Sequence, residues 1–127
     1  MKTILNTDNA PKAIGPYAQG TDTGNLLFLS GQLPIVPAEG KILAADIEGQ
    51  TRQSLENVKA ILVSAGCSMD DIVKTTVYLK DIADFAKMNG VYQEFFTEGN
   101  YPARSAFQVA AIPQNALVEI EVVALKP

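Results

Sequence analysis

The stretch that decides the fold is Leu117-Val-Glu-Ile-Glu-Val-Val-Ala-Leu125, because it predicts a strand that is largely apolar on both faces. Successive side chains of a strand point to opposite sides. One face consists of Val118, Ile120, Val122 and Ala124, and the other of Leu117, Glu119, Glu121, Val123 and Leu125. One face can pack under helices, but 127 residues leave no further helices to cover the other. We therefore predict an oligomer whose interface contains the Glu119/Glu121 face.

Two helices are predicted from apolar residues that recur at helical spacing. The first runs from Asp46 to Ala65, where the Asp46 side chain can cap the first turn and Gly66 can end the helix. The second runs from about Ala83 to Phe96 and is broken by Gly99 and the residues that follow.

Three further strands are predicted from short apolar runs, two of them rich in β-branched or aromatic residues. They are Leu26–Ser30, Ile72–Leu79 and Arg104–Val109. The stretch Pro34–Gly40 is predicted to be a loop, because two prolines and a glycine deny it ladder hydrogen bonds. The order strands, helix, strand, helix, strands predicts an α+β fold with one sheet and both helices on one face.

The composition predicts one domain, residues 1–127, since 47% hydrophobic and 19% charged residues suffice for one compact core. A net charge of -4 gives no general attraction to nucleic acid. The segment Met1–Asn9 lacks the apolar run of a signal peptide, and no stretch approaches a membrane span. We expect a soluble, cytoplasmic protein with neither a membrane nor a nucleic-acid partner.

The chain has one cysteine, Cys67, and no histidine. An internal disulfide is excluded, and a transition-metal site is not expected because the usual nitrogen ligands are missing. Any catalysis must use carboxylate, tyrosine, serine, arginine or backbone groups. We interpret Cys67 as a small residue near a helix end rather than as a redox group.

Arg104 is a candidate for binding a carboxylate, because its planar guanidinium stands at the start of an apolar strand with no acidic neighbour except Glu98. The alternative from the residues alone is an ion pair with Glu119 or Glu121, or a solvated strand end. Those two carboxylates share an otherwise apolar face, where loss of water would raise their pKa unless cations or hydrogen bonds offset it. Either could activate a water molecule, or both could form structural bridges to lysines across an interface.

Four other residues have both a structural and a functional interpretation. Tyr17 follows Gly-Pro and could pack over the sheet or touch a ligand. Ser30 and Gly31 could simply end a strand, where glycine permits close backbone approach or a positive φ, or they could line a cleft. Asn89 precedes Gly90 inside the second helix, a costly pair that indicates a local role, either packing or a hydrogen bond to the cleft loop.

Six motifs in this order resemble the RidA (YjgF) family over essentially the whole chain. They are Ala13-Ile-Gly-Pro-Tyr-Ala-Gln-Gly20, Leu29-Ser-Gly-Gln-Leu-Pro34, Gln50-Thr-Arg-Gln-Ser-Leu-Glu-Asn57, Val91-Tyr-Gln-Glu-Phe-Phe96, Pro102-Ala-Arg-Ser105 and Val118-Glu-Ile-Glu121. The resemblance implies a chorismate-mutase-like homotrimer with a mixed sheet and with ligand clefts between subunits. It also implies hydrolysis of 2-aminoacrylate, 2-iminobutanoate and related imino acids to 2-keto acids and ammonia, with no cofactor.

The same resemblance assigns roles to individual residues. Arg104 matches the arginine that binds the substrate carboxylate, and Glu119 matches the glutamate that holds the attacking water. The remaining cleft positions that it implies are Tyr17, Ser30, Gly31 and Asn89. A noncatalytic trimer that binds small carboxylates or protein partners is the alternative function.

One departure from the family concerns position 106. Many relatives carry cysteine two residues after the arginine, whereas this chain has Ala106. A thiol there is therefore not essential in this protein, although the backbone of Ala106 remains a candidate for binding ligand. Cys67 is not expected to replace it.

Overall fold

The computed structural model describes residues 1–127 as one six-stranded sheet, one short hairpin and two α-helices. The strands are β1 (Thr3–Leu5), β2 (Gly20–Asp22), β3 (Leu26–Gln32), β4 (Ile35–Val36), β5 (Lys41–Ile42), β6 (Ile72–Leu79), β7 (Ala103–Gln108) and β8 (Val118–Leu125). The helices are α1 (Ile47–Ser64) and α2 (Phe85–Tyr92). The predicted α+β class and both helices are confirmed, and β6 to β8 agree with the prediction to within one residue at each end.

The main sheet has the strand order β1-β2-β3-β8-β6-β7 and is mixed. Strands β6 and β7 are parallel and joined through α2, whereas every other neighbouring pair is antiparallel. The strand β8 thus lies in the middle of the sheet although it comes last in the chain. Its residues Val118 and Ile120 are fully buried beneath the helices.

The helix α1 begins and ends where the sequence predicts. The Asp46 carboxylate accepts a hydrogen bond of 3.0 Å from the Gly49 backbone N–H. At the other end Gly66 has a φ of 77°, and the Cys67 N–H returns to the Leu62 carbonyl at 2.9 Å. The face between these caps packs on the sheet through Leu55, Val58, Ile61 and Leu62.

The second helix is shorter than predicted. Only Phe85–Tyr92 is α-helical, and tighter 3₁₀ turns precede and follow it at Ile82–Asp84 and Gln93–Phe95. The apolar spacing continues through these turns, which is why the sequence alone predicts one longer helix. Met88 and Tyr92 still face the core as expected.

The prediction that Pro34–Gly40 is only a loop is wrong. Ile35 and Val36 pair with Ile42 and Lys41 as a small antiparallel hairpin. Pro34 and Pro37 flank the paired residues instead of occupying their positions, so the missing N–H groups cost no ladder hydrogen bond. The strands β1 and β2 were not predicted either, because three residues are too few to show a period.

The face of the sheet away from the helices is open in the single chain. Large apolar side chains on it remain well exposed, among them Phe28 at 43%, Phe107 at 46% and Leu125 at 51%. This is the two-faced character that the sequence of β8 predicts. Neither helix combines the length and apolar character needed to cross a bilayer.

Candidate active site

Glu119 projects from the open face of β8 into a cavity of about 450 Å³. It lies between the fully buried Val118 and Ile120, whose side chains point to the opposite face. Residues of the loop before β2, the end of β3 and the loop before β8 complete the wall, including Tyr17, Ser30, Gly31 and Gln114. Four of the expected site residues therefore meet around one cavity.

The Glu119 carboxylate makes neither a hydrogen bond nor an ion pair within the chain. Burial raises its pKa, and the negative charge of Glu121 raises it further. Glu121 itself accepts a hydrogen bond from the Tyr78 hydroxyl. Glu119 is thus a carboxyl group that can exchange a proton closer to neutral pH than an ordinary glutamate, in a cavity that a small molecule can enter.

Gly31 allows the backbone to pass close to this carboxylate. The pairing of β3 with β8 is irregular between Leu29 and Gln32, so Ser30 and Gly31 leave the regular register. A Cβ atom at Gly31 would lie only 2.9 Å from Cδ of Glu119. Any larger residue at position 31 would displace the Glu119 carboxylate. Of the two interpretations of Gly31 from the sequence, close approach to its backbone is therefore the one that the structure supports.

Tyr17 and Ser30 both line this cavity, and the hydroxyl of each makes one hydrogen bond within the chain. The Tyr17 hydroxyl accepts a 3.3 Å hydrogen bond from the Ile14 N–H, and the residue remains 51% exposed. The Ser30 hydroxyl donates to the Ala18 carbonyl at 2.6 Å. Tyr17 is therefore a wall that stays accessible to a ligand, whereas the Ser30 hydroxyl already serves to hold the loop.

Arg104 lies in a separate, more open depression between β7 and α2. Its guanidinium donates to the Asn89 side-chain oxygen at 2.6 Å and stands 4.7 Å from the ring centre of Tyr92 and 5.3 Å from that of Phe85. Cation–π contacts and one hydrogen bond fix the guanidinium while leaving other N–H groups free. Within the chain Arg104 forms no ion pair with Glu119 or Glu121, and the side-chain hydrogen bond of Asn89 goes to the Arg104 guanidinium rather than to a loop of the cleft.

Arg104 and Glu119 lie on opposite faces of the sheet. Arg104 is in register with Thr75, which is fully buried and hydrogen-bonded to Tyr92 of α2. Glu119 is in register with Tyr78 on the open face, and the strand β6 separates β7 from β8. One copy of the chain therefore cannot place both groups on the same small molecule.

Ala106 lies two residues beyond Arg104 on β7 and faces the same side. The strand β7 pairs only with β6, so its outer backbone edge is open to solvent or to another molecule. Cys67 is distant in sequence from Ala106, follows the end of α1, and is 6% exposed. Burial raises the pKa of its thiol, with Asp71 adding to the shift, so it behaves as the small packing residue that we expected.

Several residues that shape the two cavities were not identified as site residues from the sequence. Lys12, Gln19 and Gln114 line the Glu119 cavity, and Tyr92 and Tyr101 line the Arg104 depression. Tyr92 shares the helical spacing of core residues, which conceals its contact with the arginine. The others lie in loops whose path only tertiary structure determines.

Fold and site together define a small α+β protein with two potential binding sites. The Glu119 carboxylate lines a cavity on one face of the sheet, and on the other face the Arg104 guanidinium is fixed by Asn89 and two aromatic rings. A family model described as Endoribonuclease L-PSP matches residues 7–126. The chain belongs to this family, the RidA (YjgF) family. The resemblance inferred from the six motifs is thereby confirmed.

The sequences and structures of several relatives align with nearly the whole chain. A RutC family protein of Pyrococcus horikoshii is 56% identical over 126 residues, 99% of each chain. The 2-iminobutanoate/2-iminopropanoate deaminase of Escherichia coli K12 is 51% identical over 128 residues, again 99% of each. The crystal structure of E. coli TdcF with bound serine has a TM-score of 0.92 and 48% identity, covering 98% of this chain and 99% of that one.

Proposed function

We propose that this protein hydrolyses reactive 2-imino and 2-enamino acids, such as 2-iminobutanoate and 2-aminoacrylate, to 2-keto acids and ammonia. It would do so in the cytoplasm as a chorismate-mutase-like homotrimer of single-domain chains, each site lying between two copies. Arg104 of one copy and Glu119 of the next are the proposed catalytic pair. Support comes from the site geometry and from the deaminase named among the relatives.

The observation that carries this proposal is the Glu119 carboxyl, unpaired, partly buried and raised in pKa on the wall of a cavity. Such a group can hold a water molecule, take a proton from it and return a proton to the substrate. An imine carbon is already electrophilic, so orientation and proton transfer are the main requirements. No cofactor is needed for this reaction.

The reaction balances with water alone. The water oxygen adds to the imine carbon of R–C(=NH)–COO⁻, one water proton passes through Glu119 to the nitrogen, and a carbinolamine forms. The hydroxyl proton of the carbinolamine then passes through Glu119 to the amine nitrogen, the C–N bond breaks as the C=O bond forms, and ammonia and the 2-keto acid are released. With 2-aminoacrylate, a proton must first add to the methylene carbon while one proton leaves the nitrogen, which converts the enamine to the imine.

Arg104 would bind the carboxylate and orient the imine carbon toward the held water. Its position over Tyr92 and its bond to Asn89 leave guanidinium N–H groups for a bidentate contact, the geometry that carboxylates favour. Tyr17 and the backbone at Ser30, Gly31 and Ala106 would line the rest of the site.

The test is an assay in which an amino-acid oxidase or a dehydratase generates the imine and 2-keto acid formation is followed. Wild-type protein is expected to accelerate the hydrolysis. Glu119→Gln should lower kcat by about 10²- to 10⁴-fold, the usual contribution of general acid–base catalysis. The matched control Glu98→Gln changes an exposed carboxylate with no side-chain hydrogen bond and should behave like wild type.

No acceleration by the wild-type protein would refute the deaminase proposal. The alternative, a noncatalytic trimer that binds small carboxylates, is favoured by one observation, the serine bound to a close structural relative. Calorimetric titration with 2-oxobutanoate separates the two functions. Catalysis predicts that Glu119→Gln abolishes turnover while binding persists, whereas a sensor would show no turnover to lose.

RNA cleavage, which the description of the family model names, has less support in this chain. Its net charge is -4 and it has no histidine to act as a general acid or base at neutral pH.

A further inference from the structure

The Glu119 cavity has more room and more polar groups than a short apolar imino acid requires. Its volume of about 450 Å³ extends beyond the carboxylate toward the loop before β2 and the loop before β8. Lys12 and Gln114 line it from these two loops. Neither residue takes part in the deamination steps proposed above.

Lys12 stands on a firmly held backbone. The Gln19 side chain, only 2% exposed, donates to the Pro11 carbonyl at 2.9 Å and accepts from the Thr7 N–H at 2.7 Å. On the other side, Ile14 is bonded to the Tyr17 hydroxyl at 3.3 Å. The ammonium group of Lys12 forms no ion pair or hydrogen bond within the chain, so its donors are free at the rim of the cavity.

Gln114 is held in an unusual backbone conformation. Gln114 and Asn115 have φ values of 58° and 55°, in the left-handed region that residues other than glycine rarely occupy. The buried Ile112 accepts the Asn115 N–H at 3.2 Å, and Lys80 donates to the Asn115 side chain at 2.7 Å. These contacts maintain a strained turn whose effect is to place the Gln114 amide on the cavity wall.

The polar groups of the cavity divide into those already engaged and those that are free. The Gln19 amide holds the loop before β2, and the Gln32 amide donates to the Ser30 carbonyl at 3.1 Å. Lys12 and Gln114 make no side-chain hydrogen bond. A lysine ammonium and an amide N–H₂ together offer a positive charge and further donors, which suits a carboxylate.

We propose that Lys12 and Gln114 form a distal subsite for a second carboxylate, so that the protein also deaminates dicarboxylic 2-imino acids of the 2-iminosuccinate and 2-iminoglutarate type. The inference rests on the proposed function, since it assigns a substrate class to the same site. Arg104 of the adjacent copy would bind the α-carboxylate, Glu119 would face the imine carbon, and the side-chain carboxylate would reach the two loops.

The experiment compares kcat/KM for 2-iminoglutarate, generated from glutamate by an oxidase, with kcat/KM for 2-iminobutanoate. Lys12→Met keeps the length of the side chain and removes its charge. The selectivity ratio of dicarboxylic over monocarboxylic substrate should fall about tenfold, the effect of losing one charge-assisted contact. Gln114→Leu should lower the same ratio, and Lys12→Arg should largely restore it.

A matched control and a binding measurement keep the subsite distinct from catalysis. Lys59→Met removes an exposed lysine on α1, away from this cavity, and should leave the ratio unchanged. Calorimetry with 2-oxoglutarate and 2-oxobutanoate tests the subsite without turnover, and Lys12→Met should weaken only the former by about tenfold. Equal ratios and equal affinities in wild type and Lys12→Met overturn the inference. Failure to hydrolyse either imine, with the binding difference intact, overturns the deaminase proposal and the dicarboxylic substrate class with it, but leaves the Lys12/Gln114 carboxylate subsite supported.

Discussion

Glu119 and Glu121 are neighbours on one face of β8, but their surroundings differ. The hydrogen bond from the Tyr78 hydroxyl to Glu121, together with burial, raises the pKa of Tyr78 to about 12. Glu119 has no such donor, and its own pKa is raised by burial and then by the Glu121 charge. Glu121 is therefore placed to adjust the acidity of Glu119 without touching a ligand.

The change Glu121→Gln should move the acidic limb of the pH profile of kcat/KM to lower pH. Removing the neighbouring negative charge makes the anionic form of Glu119 easier to reach, so its pKa falls toward the ordinary value. Glu119 would then act as a base at a lower pH than in wild type. An unchanged limb in Glu121→Gln, with Glu98→Gln as the control, would show that the two carboxylates are not coupled.

For single residues, the sequence predicts the direction of the Glu119 pKa shift, but it does not predict the contacts of Arg104. An acidic residue on an apolar strand face must lose water, and the direction of the pKa shift follows from that alone. The surroundings of Arg104 do not follow from β7, because Asn89, Tyr92 and Phe85 come from α2. Long-range contacts of this kind have no local signal in the chain.

The hairpin of β4 and β5 depends on one buried side chain of α1. The Asn57 amide donates to the Leu33 carbonyl at 3.0 Å and to the Ile35 carbonyl at 2.8 Å, and Asn57 is 1% exposed. Leu33 and Ile35 in turn line the Glu119 cavity. A polar residue in the apolar face of a helix thus determines the shape of one wall of the site.

Replacing this residue, Asn57→Ala, should lower the free energy of unfolding by about 1–3 kcal/mol, because two carbonyl groups lose their buried donor. Urea denaturation followed by circular dichroism measures the change. Glu56→Ala, one residue earlier and exposed on the same helix, should change stability by less than about 0.5 kcal/mol. If both variants unfold alike, Asn57 does not support the hairpin.

Elements with a strong period were predictable and short ones were not. The spacing of apolar residues and the caps at Asp46 and Gly66 predict α1 correctly. The two-residue strands Ile35–Val36 and Lys41–Ile42 form because Asn57 holds the chain that precedes them, and no pattern within two residues can reveal that. The register irregularity that brings Gly31 to Glu119 is equally invisible in the sequence.

At the scale of the whole molecule, the sheet separates the two proposed catalytic groups. Arg104 faces α2 and Glu119 faces the open side, where Phe28, Phe107 and Leu125 remain about half exposed. Covering this face with a second copy would bury apolar surface and could complete a site at the same time. The proposed trimer would therefore have three shared sites.

Mixing the inactive variants Arg104→Ala and Glu119→Gln should restore activity. When the two are unfolded together and refolded in equal amounts, each mixed ring contains one intact pair, so about one quarter of the wild-type activity is expected for random threefold assembly. Light scattering on the same samples measures the assembly mass. Complete absence of recovery despite mixed assembly would mean that both residues of a site come from one chain.

The sequence of β8 predicts that a second face needs covering, but not what covers it. Alternating apolar residues indicate that a strand face is buried, but they do not identify the surface that packs against it. The proposal that Arg104 and Glu119 of neighbouring copies share a site starts from the clefts between subunits that the family resemblance implies. Their opposite orientations in the sheet give it a geometric reason.

Because Cys67 is buried, a cysteine introduced at the surface of this chain can be labelled selectively. Its thiol is the only one in the sequence, it is almost inaccessible, and its raised pKa keeps it mostly uncharged near neutral pH. A cysteine introduced at an exposed position such as Lys59 would react with maleimide dyes while Cys67 stays silent. Donor and acceptor dyes on separate batches of this single-substitution variant would then report subunit exchange in real time, with Cys67 left in place.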